Sequence, residues 1–229
     1  MEKLIDLIFP RQCVFCGEYF KMICETCLQK CRVNFDENCI VCDLPSQNGN
    51  THKTCFSEQL PTNLFSCFEY AGYVEKCMKM SKYGFKEFAV LKELTEEGIK
   101  ISLSVNQNKE YEDFVVVPIP LNKRRMRSRG FNQSEIIAKI LSKKFDLKMN
   151  IKLLKRVKNT NTQIGMNREE RVKNIKDAFL ANNSVMDLKI LLVDDVCTTG
   201  ATLIEASRAL YKAGVLEVKC FTLAKTPKT

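Results

Sequence analysis

One stretch constrains the fold of this 229-residue chain more than any other: Ile190-Leu191-Leu192-Val193-Asp194-Asp195-Val196-Cys197-Thr198-Thr199-Gly200-Ala201-Thr202. An unbroken apolar run marks a strand buried on both faces of a parallel sheet. The run ends in two acids and a turn of small hydroxyl residues, and a helical pattern follows from Leu203 to Ala213, closed by Gly214. A strand that feeds a turn and then a helix makes a site at the strand's carboxyl end. Backbone N–H groups of residues 198–202, the threonine hydroxyls and the positive end of the helix dipole together suit a phosphate. Ionised Asp194 and Asp195 only accept hydrogen bonds, so they suit sugar hydroxyls instead. A phosphate cradle beside two diol acceptors describes a site for a ribose 5-phosphate.

The segment resembles the phosphoribosyl-diphosphate (PRPP) loop of type I phosphoribosyltransferases: an apolar run, two acids, two apolar or small residues, Thr, Thr, Gly, a small residue, Thr. Every position matches. The resemblance implies that Asp194 and Asp195 meet the ribose 2- and 3-hydroxyls. It implies that Cys197, Thr198, Thr199, Gly200, Ala201 and Thr202 belong to the PRPP loop, with residues 198–202 on the 5-phosphate.

Charge is unevenly spread. Residues 1–60 hold 6 Lys/Arg against 8 Asp/Glu, a net of −2, whereas residues 121–176 hold 17 against 4, a net of +13 in a chain whose total is +9. Such a block suits a polyanion or a polyphosphate ligand. No apolar stretch approaches the roughly 20 residues of a membrane helix. The patch Leu4, Ile5, Leu7, Ile8, Phe9 is too short, and wrongly flanked, for a secretory signal. The cytoplasm is therefore the expected compartment.

Eight of the twelve cysteines lie within residues 1–55. The spacings Cys13-x-x-Cys16, Cys24-x-x-Cys27, Cys39-x-x-Cys42 and His52-x-x-Cys55 each let two side chains reach one tetrahedral ion. They imply two structural zinc sites, Cys13, Cys16, Cys24, Cys27 and Cys39, Cys42, His52, Cys55, although bracing the first pair with the third would use the same residues. His52 is the only histidine in the chain. Disulfides do not suit the compartment. Bound zinc would supply folding energy that so short a segment cannot draw from its own core. Cys31 is a spare; Cys67, Cys77, Cys197 and Cys220 lack partner spacing and read as core or strand residues.

The remaining pattern alternates strands and helices, which indicates an α/β fold with a mainly parallel sheet flanked by helices. Strands are expected at 65–71, 113–121 (ending near Val117 because of its prolines), 151–154, 188–195 and 216–224. Helices are expected at 73–82 and 86–103, split by Gly84, and at 132–145, 168–177 and 200–213. Two basic segments accompany this frame. Pro118-Ile119-Pro120 leads into Arg124, Arg125, Arg127 and Arg129, whose guanidinium forks suit phosphate. Asn132 or Ser134 can also cap the helix that follows. The second segment holds Lys155, Arg156, Lys158, Gly165 and Arg171 and has the character of a basic loop that closes over a polyanion.

Together these residues resemble the ComF family of competence-associated proteins. The matching patterns are Lys82-Tyr83-Gly84, Pro118-x-Pro120, Arg129-Gly130-Phe131-Asn132-Gln133, Arg156-x-x-x-Thr160-x-x-Gln163, Arg171-x-x-Asn174 and the PRPP loop. His52 stands where the family usually has cysteine, and Met166 where it has leucine. The resemblance implies a double zinc-ribbon module (residues 1–60) joined to a type I phosphoribosyltransferase-like domain (61–229). It also implies PRPP with Mg²⁺ as ligand, and single-stranded DNA and DNA-uptake proteins as partners in natural transformation. Pro118, Ile119, Pro120, Arg129, Arg156, Lys158 and Arg171 are the candidates for pyrophosphate contact. Two functions remain open: an enzyme that transfers a phosphoribosyl group to an unidentified base or amine, or a module that binds DNA or a sensor ligand without turnover. No catalytic residue is assigned.

Overall fold

The computed structural model describes residues 11–34, 37–81, 85–104, 111–158 and 168–227. The apolar patch at 4–9, Lys82-Tyr83-Gly84, and Thr160, Gln163, Gly165 and Met166 of the second basic segment lie outside the described residues. In chain order the elements are α1 (Glu25–Leu28), β1 (Asn63–Glu69), α2 (Gly72–Met80), α3 (Phe85–Ser104), β2 (Phe114–Pro118), α4 (Lys123–Arg129), α5 (Gln133–Phe145), β3 (Leu154–Arg156), α6 (Arg168–Ile175), β4 (Phe179–Ala181), β5 (Lys189–Cys197), α7 (Ala201–Lys212) and β6 (Glu217–Lys225).

Four strands form one sheet in the order β1-β6-β5-β2, with every pair parallel. All four carboxyl ends therefore meet at one edge. There lie Tyr70 after β1, Ile119 after β2, the acids and turn of β5, and Lys225 of β6. Side chains alternate between two cores, as strand geometry requires. One face carries Phe65, Cys67, Val116, Leu191, Val193, Phe221 and Leu223 beneath α2, α3 and α5. The other carries Leu64, Val117, Ile190, Leu192, Val218 and Cys220 beneath α7 and the antiparallel β3–β4 pair.

The cysteine segment is built into these cores. Cys13, Cys24, Cys27, Met22 and Ile23 belong to the first core, and Ile40 to the second. Glu93 of α3 holds the first knuckle by its backbone, its carboxylate accepting from Met22 N–H at 3.1 Å and Ile23 N–H at 2.8 Å. The outer side of β1 receives hydrogen bonds from the same segment: Asn34 N–H donates to the Cys67 carbonyl, and Glu69 N–H donates to the Arg32 carbonyl, both at 2.9 Å. Gly49 sits at φ +70° against the Leu64 carbonyl, where a Cβ has no room.

Three expectations need correction. Residues 151–153 are turn and bend, not strand, because Asn150 Oδ1 accepts from Lys152 N–H and closes a local turn; the strand begins at Leu154. The arginine-rich stretch after Pro120 is not loop throughout. Asn122 Oδ1 accepts from Arg125 N–H and Gly130 at φ +77° stops the helix, so a short α4 forms with no buried residue to betray it as an apolar stripe. Asn132 occupies the N-cap position of α5 without capping it; its amide donates to the Ile119 carbonyl at 3.0 Å instead.

Candidate functional site

The cysteine pairs resolve into two groups. Cys13, Cys16, Cys24 and Cys27 bring their sulfurs within 4.8 Å of one another, and so do the ligand atoms of Cys39, Cys42, His52 and Cys55. Ligand atoms at an ideal tetrahedral zinc–thiolate centre stand about 3.8 Å apart. First-with-third bracing is thus not what the chain adopts. The two groups could hold metal ions, and an S₄ and an S₃N donor set suggest zinc. Burial pushes the Cys13 thiol up, but N–H groups of Cys24, Phe15 and Cys16 aimed at its sulfur more than offset this and hold it down to about 6. Cys39 is likewise held at about 7, against burial, by N–H groups of Cys42, His52 and Val41. Thiolates prepared by backbone donors are ready metal ligands. His52 Nδ1 stands 3.3 Å from Cys42 Sγ, while Nε2 lies 2.9 Å from the Pro45 carbonyl, the outer partner that fixes a ligand histidine's tautomer. Cys31, Cys67, Cys77, Cys197 and Cys220 are buried, and all twelve cysteines, which lie among the described residues, are free thiols.

The larger cavity opens at the carboxyl edge of the sheet and has a volume of about 860 Å³. Three kinds of chemistry face each other across it. The first is a carboxyl pair. Asp194 Oδ1 accepts from Ser134 Oγ at 2.7 Å and from Asp195 N–H at 2.9 Å, and Asp195 Oδ1 accepts from Val196 N–H at 2.7 Å, so one oxygen of each carboxyl is held by the chain itself. The second is the amino-terminus of α7. Gly200, at φ +74°, gives its helix no side-chain cap, and Gly200, Ala201, Thr202 and Leu203 line the cavity. Uncapped first-turn N–H groups attract an anion. The third is a cluster of guanidiniums: Arg125 and Arg129 from α4, Arg156 from β3 and Arg171 from α6. Burial and Arg129 hold Arg125 below its ordinary value, and burial and Arg125 do the same to Arg156. Cations that disfavour one another's charge are stabilised by a polyanion between them.

A family model for the phosphoribosyl transferase domain matches residues 90–229. The chain belongs to that family. Among characterised relatives, competence protein F of Haemophilus influenzae is 39% identical over 113 residues, 48% of this chain and 49% of that protein. Competence protein ComFC of Bacillus subtilis is 37% identical over 130 residues, 56% of this chain and 52% of that one. DNA utilization protein YhgH of Escherichia coli is 33% identical over 111 residues, 48% of this chain and 49% of the relative. The chain thus spans about half the length of the curated relatives it matches.

In this phosphoribosyltransferase domain, the cavity brings together Ile119, Pro120, Arg129, Arg156, Arg171, Asp194, Asp195, Cys197, Thr198, Gly200, Ala201 and Thr202 of the residues singled out in the sequence. Three others stand elsewhere. Pro118 is the buried last residue of β2. Lys158 is exposed and donates to the Lys176 carbonyl at 3.3 Å. Thr199 lines a second, smaller cavity behind the turn. Arg127 of α4 is absent from the lining, while Arg125, one turn's other face, is present. The wall that the sequence did not disclose is made by Tyr70, Glu75 and Lys79. Glu75 and Lys79 are an i,i+4 ion pair at 2.6 Å, and burial first, then the Glu75 charge, pushes the Tyr70 phenol up. Its one sequence signal was position: Tyr70 directly follows a strand that ends at the ligand edge.

Asp194 is pushed up to about 8, by burial first and then by the neighbouring Asp195 charge, with Ser134 and the Asp195 N–H pulling the other way. Between the ordinary 3.8 and about 8 the folded chain keeps a proton that the unfolded chain has released. Stability is therefore fully present at low pH and falls as pH rises through this window, by up to about 1.4 kcal/mol per pH unit. Asp194→Asn is expected to flatten that slope; denaturant midpoints of parent and variant from pH 5 to 8 measure it, and parallel curves would show that the carboxyl is not the source.

Proposed function

We propose that this chain binds PRPP with Mg²⁺ in the larger cavity and serves the handling of single-stranded DNA during uptake. The observation that carries the first half is the convergence of a carboxyl pair, a bare helix amino-terminus and four arginines on one cavity. Asp194 and Asp195 receive the two ribose hydroxyls, residues 198–202 the 5-phosphate, and Ile119, Pro120 and the arginines the pyrophosphate. Mg²⁺ arriving with the ligand would supply charge neutralisation, and Asp194 and Asp195 are the acids that would meet it. The second half rests on the relatives named for competence and DNA utilisation and on the net charge of +13 over residues 121–176.

A second reading, phosphoribosyl transfer to a base or amine, is favoured by the wall of Tyr70, Glu75 and Lys79, the side of the cavity that the ligand's phosphates do not claim. Glu75 can take a proton from an attacking nucleophile while the arginines stabilise the departing pyrophosphate. Positioning and charge would do most of the work.

Two measurements test these readings. Calorimetric titration with Mg²⁺ and PRPP is expected to show one site per chain, and no heat or competition at all would overturn the PRPP assignment. Mobility shifts with single-stranded DNA are expected to weaken with salt, the log–log slope being about −0.7 per phosphate neutralised. The two aromatic residues of the basic block are already engaged, Phe131 against Phe88 and Phe145 against Tyr111, so base stacking adds little and phosphate contact dominates. Arg129→Ala is expected to weaken both ligands. DNA binding that ignores salt, or none at low salt, would remove the DNA half and leave the transfer reading. Pyrophosphate release on screening bases and amines would then identify the acceptor.

A further inference from the structure

The turn that would hold the phosphate has two sides. Cys197, Thr198 and Gly200 line the large cavity and also a second one of about 140 Å³, whose far wall is Ile40, Asp43, Leu64 and Lys225. That far wall contains the two residues that neighbour metal-ligand candidates in the second knuckle: Ile40 follows Cys39, and Asp43 follows Cys42. The contact is close. A Cβ added to Gly200 would lie 3.0 Å from both Ile40 Cγ1 and the Ile40 carbonyl oxygen. Ile40 is buried, at 4% exposure, so it has no easy retreat. Asp43 takes φ +60° to close the knuckle, its N–H donating to the Cys39 carbonyl at 2.8 Å. Its carboxylate accepts from Lys225 Nζ at 2.7 Å, and the Lys225 side chain is only 8% exposed. The residue after Lys225 reaches the turn directly, Thr226 N–H donating to the Cys197 carbonyl at 3.0 Å. Backbone and side chain thus connect the knuckle, the end of β6 and the start of the phosphate turn without a gap.

A flexible turn binds phosphate poorly, because ordering its N–H groups costs free energy at the moment of binding. A turn held from behind by a rigid body is ordered beforehand. A knuckle is rigid while metal holds its four ligands and loses its shape without it. We propose that Ile40 and Asp43, with Lys225, are positioning residues for the phosphate turn, and that metal in the Cys39, Cys42, His52, Cys55 group sets the affinity for the 5-phosphate end of the ligand. The ligand half of this statement rests on the reading above; the mechanical half does not.

The test uses the full-length, metal-replete protein and the variants Ile40→Ala, Ile40→Val, Lys225→Met and Cys55→Ser. Two probes are titrated separately: ribose 5-phosphate, which needs the turn, and inorganic pyrophosphate, which needs the arginines. Ile40→Ala, Lys225→Met and Cys55→Ser are expected to lose about tenfold or more for ribose 5-phosphate and to keep pyrophosphate affinity, while Ile40→Val, which refills most of the space, binds both probes like the parent. A general loss of structure would lower both affinities together, and that result overturns the proposal. Hydrogen exchange at the amides of residues 198–202, read without any ligand, separates the two halves. Faster exchange there in the three disruptive variants, but not in Ile40→Val, supports the clamp. Exchange at the parent's rate overturns it, whatever the titrations give. A parent that binds pyrophosphate but not ribose 5-phosphate refutes the sugar-phosphate reading instead, and the amide rates then decide the clamp alone.

Discussion

Replacing Cys27 with serine is expected to remove one of two bound zinc ions and most of the chain's stability. Cys27 is 2% exposed and lies among Cys13, Cys24, Met22 and Ile23 in the core beneath α3. The loss therefore has two parts that reinforce each other. A structural zinc in a small peptide contributes about 10–16 kcal/mol of folding free energy, and a whole domain retains only about 5–15 kcal/mol. Even a small fraction of the metal's contribution, once lost, is enough to unfold the knuckle. The unfolded knuckle would then strip the α2–α3 face of its cover and leave the Glu93 carboxylate without the two N–H donors it now accepts from. Elemental analysis should give close to two zinc per parent chain and close to one for the variant, with a thermal midpoint lowered by roughly 8–16 degrees for a loss of about 4 kcal/mol in a chain of this size. Zinc near zero in parent protein purified without chelators would refute the assignment of both groups.

The second large effect belongs to the carboxyl pair. Asp194→Asn together with Asp195→Asn keeps the shape of the β5 terminus, including an acceptor for the Ser134 hydroxyl, yet above about pH 8, where Asp194 has lost its proton, replaces charged acceptors by neutral amides. Hydrogen bonds to charged groups contribute about 1.5–3 kcal/mol each. Losing two should weaken PRPP binding roughly 10²- to 10⁴-fold. Pyrophosphate alone, held by Arg125, Arg129, Arg156 and Arg171, should bind the double variant at least as well as the parent, because two negative charges facing it are gone. Unchanged PRPP affinity would show that the diol sits elsewhere.

The phosphate turn was legible from the chain because a parallel strand, two acids and a threonine-rich turn are contiguous, so their mutual geometry is local. The knuckles were legible for the same reason: a two-residue gap sets the distance between ligands regardless of what surrounds them. The grouping was read as first pair with second and third with fourth, and bracing Cys13 by Cys39 instead stayed open until the fold placed one knuckle on each face of the sheet. Tyr70, Glu75 and Lys79 come from the strand and helix expected at 65–71 and 73–82, but nothing local aims them at a ligand; only the pairing of β1 beside β6 brings them to the cavity. Helix α4 escaped notice because a helix with no buried residue leaves no periodicity, and its signals were confined to Asn122 and Gly130. Asn132 and Ser134 were read as caps on local grounds, whereas tertiary partners, the Ile119 carbonyl and Asp194, take their side chains.

The way the sheet is finished at its sides has a consequence for handling the protein. An open strand is a template for pairing with another chain. Here residues 32–34 and 50–51 run along β1 and occupy its outward groups, and residues 148–150 do the same for β2, with Val116 N–H donating to the Lys148 carbonyl at 2.8 Å and Asn150 N–H to the Val116 carbonyl at 3.0 Å. The guard on β2 is ordinary chain, but the guard on β1 is the connection into and out of the metal knuckles. Metal starvation would therefore do more than soften a small module: it would uncover the outer edge of the seven-residue strand Asn63–Glu69 at both of its ends. Cells or purification buffers that withhold zinc should yield self-associated material, and the amount of soluble protein should track metal supply.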